Sequence, residues 1–217
     1  MSRHNEWILI LDYGSQFTQL IARRLREFNI YCEIHPFNVD LDEVSTPVPK
    51  GIILAGSPKS VNDEDAPYLE QKILDWNIPI LGVCYGLQLL AHNEIPGCVE
   101  KADKREFGRA HLIIDDNTEL LKDIENESVV WMSHGDHIHT LPENYSITAH
   151  TANAQVAAVK HKKLPIYGVQ FHPEVAHTES GKTILKNFAL DICKLSGDWT
   201  PKSFIEEQIE AIKAQVG

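Results

Sequence analysis

One pentapeptide restricts the fold of this chain more than any other. Gly82-Val83-Cys84-Tyr85-Gly86 stands directly after the apolar run Ile78-Pro79-Ile80-Leu81 and directly before Leu87-Gln88-Leu89-Leu90-Ala91-His92. An apolar run that passes through glycines into a helix-forming sequence reads as a buried strand turning sharply into a helix. A glycine on each side of Cys84 lets the backbone turn without a Cβ clash, and the helix that follows aims free N–H groups and its positive dipole end at the thiol. A thiolate is favoured there. The alternative for such a cysteine is a small buried residue closing a core strand.

A nucleophile needs a base, and Tyr167-Gly168-Val169-Gln170-Phe171-His172-Pro173-Glu174-Val175 supplies one. In extended backbone, residues at i and i+2 project to the same side, and Pro173 disfavours helix at His172. His172 and Glu174 therefore suit a catalytic pair, the imidazole moving a proton near neutral pH and the carboxylate fixing its tautomer. The competing reading is a solvated turn after a buried strand.

Short apolar runs alternate with amphipathic stretches, as in a parallel sheet flanked by helices. The first strand is Trp7 to Leu11, and Ser15 can cap a helix with Phe17, Leu20, Ile21, Leu25 and Phe28 on one face. Ile30 to Ile34 and Gly51 to Ala55 read as strands and Tyr68 to Trp76 as a helix, which places Cys84 at a carboxyl strand end, where sites in open α/β sheets collect. From His111 onward the strands shorten to Val129–Met132, Ser146–His150, Gln155–Lys160 and Ile166–Phe171, an antiparallel pattern. Gly181 to Leu195 returns to helical spacing and ends at Ser196-Gly197. The expected fold is α/β: a mostly parallel open sheet flanked by helices, with a smaller antiparallel section.

With 217 residues and 43% hydrophobic content the chain can bury one large core. A formal net charge of −11 argues against nucleic-acid binding. No apolar stretch reaches the roughly 18–20 residues of a membrane span, and Met1-Ser2-Arg3-His4-Asn5-Glu6 lacks a secretory apolar region, so a cytoplasmic protein is expected. Cys32, Cys98 and Cys193 show no paired spacing, and His134, His137 and His139 have no second ligand group nearby, so neither disulfide scaffold nor metal site is expected.

Together the two segments resemble the class I glutamine amidotransferases, which carry a Gly-x-Cys-x-Gly elbow, a glutamine four residues beyond the cysteine (here Gln88) and a late His-Pro-Glu. Within that class, Ile8 to Arg24, Arg105-Glu106-Phe107-Gly108, Trp131-Met132-Ser133-His134-Gly135-Asp136 and Phe171 to Thr178 resemble the glutaminase domains of GMP synthases. The likeness runs from Trp7 to the carboxyl end. It implies glutamine hydrolysis by a Cys84-His172-Glu174 triad, supplying ammonia for ATP-dependent amination of XMP to GMP. Tyr85 and Ser57 would provide the oxyanion-hole N–H groups. Gln88 would contact the bound glutamine, with Ser133 and His134 lining its pocket and Asp12, Gly14 and Gln16 at the rim.

The resemblance also implies a division of labour. Residues 1–198 would form the amidotransferase domain and residues 199–217 a linker and helix, with Ser203 and Glu206 as its capping box, leading to a synthetase (ATP-pyrophosphatase) domain outside this chain. That partner, fused or separate, would bind XMP, ATP and Mg; no cofactor is expected in this chain, and homo-oligomerisation of the full enzyme stays open. The chain departs from the family at Ala55-Gly56-Ser57-Pro58, where a second glycine is usual. If that position needs positive φ, serine strains it, the oxyanion hole is poorly formed at rest, and the isolated chain turns over slowly. The competing functions are a glutaminase for another acceptor (anthranilate, carbamoyl phosphate or CTP synthesis), a γ-glutamyl hydrolase, and a catalytically silent regulatory or interaction domain.

Overall fold

The computed structural model describes residues 4–200, the side chains of 103–105 excepted, together with Ile205, Ile209 and Lys213. In chain order the elements are β1 (Trp7–Asp12), α1 (Thr18–Glu27), β2 (Tyr31–Pro36), α2 (Leu41–Val44), β3 (Gly51–Leu54), α3 (Lys72–Asp75), β4 (Ile80–Val83) and α4 (Tyr85–Glu94). There follow β5 (Val99–Ile114), β6 (Ser128–Ile138), β7 (Tyr145–His150), β8 (Ala158–His161), β9 (Ile166–Val169) and α5 (Gly181–Lys186), which continues as a π-turn over Asn187–Ile192. The strands join in one sheet, ordered β2-β1-β3-β4-β9-β8-β7-β5-β6.

Five neighbouring strands, β2-β1-β3-β4-β9, are parallel. The four inner ones, β1, β3, β4 and β9, carry near-continuous apolar sequence because both faces are covered, whereas the edge strand β2 is mostly half-buried. Alternate residues of β1 show this: Ile8 and Ile10 enter one core with Ile21 and Leu25 of α1 and Ile184 and Phe188, while Trp7, Leu9 and Leu11 enter the other with Leu87 and Leu90 of α4. Each such side chain contributes roughly 1.5–3 kcal/mol on burial. Beyond β9 the pairing is antiparallel through β8, β7, β5 and β6. The α/β sheet flanked by helices is as expected, with an antiparallel half almost as large as the parallel one.

Several local expectations change. Ser15 accepts from Phe17 N at 3.1 Å, but α1 starts only at Thr18; its buried face is Thr18, Ile21, Ala22 and Leu25, with Phe28 packing half-buried on the same core and Phe17 outside it. The helix expected over Tyr68 to Trp76 shrinks to the single turn α3, held by i→i+3 bonds such as Ile73 N to Glu70 O at 3.0 Å. Strand β5, 16 residues long, was not foreseen before His111. Its charged sequence lacks an apolar rhythm, and it is held by register pairing along β6, from Val99 with Ile138 to Leu112 with Ser128. At the carboxyl end, Trp199 packs on Tyr31 with ring centroids 5.7 Å apart. The proposed capping box Ser203 and Glu206 lies outside the described residues; of that segment's apolar positions, Ile205 and Ile209 are exposed.

Candidate active site

Cys84 follows β4 and precedes α4, and its amide donates to Val169 O of β9 at 2.8 Å. Its dihedrals are φ 54° and ψ −104°, a region that L-residues rarely occupy and that costs on the order of 1–3 kcal/mol. The flanking glycines spare a Cβ clash, as expected; neither takes positive φ, and the cysteine itself carries the turn. Gly82 and Gly86 are there for space. A Cβ on Gly86 would lie 2.3 Å from Leu54 O of β3, and one on Gly82 would lie 2.6 Å from Leu87 N. The first turn of α4 thus lies directly on the sheet, holding the sulfur above the carboxyl ends of the parallel strands.

Because β9 lies beside β4, with Val83 opposite Val169, the segment leaving β9 brings His172 to the same edge of the sheet. His172 Nδ1 and Glu174 Oε1 are 2.8 Å apart, and both side chains are buried. Burial disfavours the imidazolium, but hydrogen bonding to Cys84 and Glu174 and their charges outweigh it, raising the His172 pKa. Three further contacts hold this segment: His172 N to Trp131 O at 3.0 Å, Thr178 Oγ1 to His172 O at 2.6 Å, and Arg24 Nε to Glu174 O at 3.1 Å. The Phe17 ring meets the imidazole edge-on at 5.2 Å, which is the place of Phe17 in the molecule rather than the α1 core face.

Cys84 and His172 face a cavity of about 520 Å³, within the range of roughly 300–1,000 Å³ common for small-molecule sites. Ser57, Tyr85, Gln88, Ser133 and His134 all line it. Gly14 and Gln16 stand at its wall, whereas Asp12 acts from behind, accepting from Gly14 N at 3.0 Å and Thr18 Oγ1 at 2.7 Å. Ser133 reaches the sulfur through its backbone, its carbonyl lying 3.8 Å from Cys84 Sγ. His134 Nδ1 lies 2.8 Å from Asp136 O and its Nε2 3.3 Å from Glu106 Oε2; burial lowers its pKa against the pull of both neighbours. Ser57 is not at positive φ, so the strain expected of a serine there is absent, and its Oγ accepts from Lys59 N at 3.1 Å. The Tyr85 hydroxyl donates to Pro67 O, tying the loop over the cavity to the elbow.

The histidines raised as metal candidates turn to separate partners: His137 lies 3.7 Å from Glu100 and His139 is 3.1 Å from Gly97 O. Among the described residues, no group of three or more His, Cys, Asp or Glu side chains is placed to hold a metal. Sequence reasoning assigned no role to Gln170, Thr178 or Arg24. Gln170 alone had a signal, lying two residues before His172 and so on its side of the extended segment. The positions of Thr178 and Arg24 depend on contacts across 47 and 150 residues of chain.

The chain is similar to known proteins along nearly its whole length. A glutamine-hydrolysing GMP synthase of Alkaliphilus metalliredigens is 50% identical over 212 residues, covering 98% of this chain and 41% of the relative. That of Brachyspira hyodysenteriae is 47% identical over 217 residues, 100% of this chain and 42% of the relative. The chain thus spans about two fifths of the length of these curated relatives. Among solved structures, a Thermoplasma acidophilum protein described provisionally as one subunit of a GMP synthase superposes with a TM-score of 0.77 at 32% identity, covering 95% of this chain and 98% of that one. A glutamine amidotransferase of Thermotoga maritima, 21% identical over 90% of this chain and 88% of its own, shares the fold with a TM-score of 0.66. The class-I glutamine amidotransferase family matches residues 9–192, and with its elbow cysteine, His-Glu pair and parallel sheet this chain belongs to that family.

Proposed function

We propose that this chain hydrolyses the side-chain amide of glutamine and delivers the ammonia to a synthetase that aminates XMP to GMP. The observation that carries the reading is that the elbow cysteine and His172 face one cavity, with Glu174 2.8 Å behind the imidazole. Cys84 Sγ attacks the amide carbon, and His172 gives its proton to the departing ammonia. His172 then takes a proton from water as it cleaves the glutamyl thioester, releasing glutamate and restoring the thiol. Glu174 holds the imidazole and stabilises its charged form. The N–H groups of Tyr85 and Ser57 serve the tetrahedral oxyanion, each such donor supplying roughly 3–4 kcal/mol in other acyl-transfer enzymes. Gln88, Ser133 and His134 recognise the amino-acid end of glutamine.

The acceptor chemistry rests on the likeness to GMP synthases along nearly the whole chain. In this reading residues 1–198 form the glutaminase unit and residues 199–217 lead toward the synthetase domain, which holds XMP, ATP and Mg in the cytoplasm. Among the described residues no helix is long and apolar enough to cross a membrane. Treating the chain with an electrophilic glutamine analogue should label one thiol, and Cys84→Ala should abolish the label. Label at Cys32 or Cys98 would contradict the assignment. Ammonia-dependent and glutamine-dependent GMP formation, measured with the synthetase present, would separate this acceptor from the others.

A further inference from the structure

Gln170 is 1% exposed, and its carboxamide lies between two residues the proposed mechanism uses. Gln88 Nε2 is 3.0 Å from Asp136 O and 3.1 Å from Gln170 Oε1, while Gln170 Nε2 is 3.6 Å from Cys84 Sγ. One backbone carbonyl decides the direction of this chain of contacts. Asp136 O can only accept, so the atom of Gln88 facing it is the NH₂ group. The second hydrogen of that group then goes to Gln170, which must present its oxygen there and its NH₂ to the sulfur. Both Gln88 hydrogens are committed, which leaves Gln88 Oε1 as the acceptor for the cavity that Gln88 lines.

We propose that Gln170 is a positioning residue that joins the nucleophile to the substrate-recognising amide, orienting Gln88 with its oxygen and holding the Cys84 sulfur with its NH₂ group. The assignment rests on the reading of Cys84 as nucleophile. Around the sulfur, the Ser133 carbonyl at 3.8 Å favours the protonated thiol, since it can only accept. Gln170 favours the thiolate, since its NH₂ can only donate. A cation accepted by Gln88 Oε1 would polarise the series Gln88 to Gln170 to Cys84, strengthening each bond in turn. Binding of an α-amino group would then be felt at the nucleophile without any backbone movement.

The test is the pH dependence of Cys84 alkylation by iodoacetamide in the full chain without glutamine, read on the Cys84 peptide to separate it from Cys32, Cys98 and Cys193, which do not line the cavity. In Gln170→Met both bonds are lost. The midpoint should rise by about one pH unit, and KM for glutamine should rise several-fold as Gln88 is freed. In Gln170→Glu the oxygen toward Gln88 survives while a carboxylate oxygen replaces the donor. Its midpoint should rise further and its KM stay within about twofold of the wild type. Gln170→Glu is isosteric and carries the test if the methionine variant does not fold. Unchanged midpoints in folded variants would overturn the proposal. Shifted midpoints in a chain that releases no ammonia even with the synthetase present would overturn the glutaminase reading and leave Gln170 in place.

Discussion

The two halves of the sheet are built by different rules, and the site lies where they meet. In the parallel half, β3, β4 and β9 are buried at every position, and neighbouring strands and helices approach so closely that Gly82 and Gly86 have no room for a Cβ. In the antiparallel half, β6 alternates buried and half-buried residues, and Gly108 of β5 adopts φ 115° with nothing within 4 Å of an added Cβ. The first half fixes where the sulfur and imidazole stand. The second supplies the pocket wall, with Ser133, His134 and Asp136, where close packing is not required.

The largest effect should come from the packed half. Cys84→Ala should lower ammonia release from glutamine at least about 10⁴-fold, since removing the nucleophile of a catalytic unit removes nearly all of its contribution. Retained turnover would show that the reacting atom lies elsewhere. Gly86→Ala should cost about 3 kcal/mol or more in urea unfolding, because its methyl would meet the Leu54 backbone at 2.3 Å. A cost comparable with that of a surface change would show that the sheet and α4 can separate freely.

The pH dependence sharpens the same point. Burial opposes the charged imidazole, yet hydrogen bonds and charges from Cys84 and Glu174 raise the His172 pKa above its unfolded value. The stability this supplies is complete below about pH 6.5 and lost as pH rises through the folded-state value. Cys84→Ala removes one of the two upward causes. Its urea midpoint should therefore fall less than that of the wild type between about pH 6.5 and 9, a difference on the order of 1–2 kcal/mol. Parallel falls in both proteins would remove Cys84 from the set of groups that charge His172.

At the cavity rim the expected effects are smaller. Ser57→Gly admits backbone conformations that a Cβ disfavours by roughly 1–2 kcal/mol, so basal ammonia release by the isolated chain should rise by up to about tenfold. An unchanged rate would show that this loop does not limit turnover. Gly108→Ala should cost only about 1–2 kcal/mol, from its backbone conformation alone. If it proved as damaging as Gly86→Ala, the contrast between the halves would fail.

Legibility follows the same division. The parallel strands could be read because burial on both faces demands unbroken apolar runs such as Ile8 to Leu11 and Gly51 to Leu54. The helix expected at Tyr68 is not formed beyond one turn, although Leu69 and Ile73 are buried at helical spacing. Strand β5 escaped notice because its partner β6, rather than its own side chains, makes it a strand. The glycines of the elbow are legible from sequence, since they spare a Cβ clash; that Cys84 itself takes the unusual dihedrals is not.

By itself the sequence determined the chemistry on offer: a thiol at a strand-to-helix turn, and an imidazole with a carboxylate two residues on in extended backbone. These are local properties, set by residue type, by alternation along a strand and by the conformational limits of glycine and proline. Only the tertiary structure decided that β9 would lie beside β4, so that residues 88 positions apart share one cavity, and that Gln170 would bridge Cys84 and Gln88. Such placement depends on backbone pairing and packing between distant segments, which no local pattern encodes.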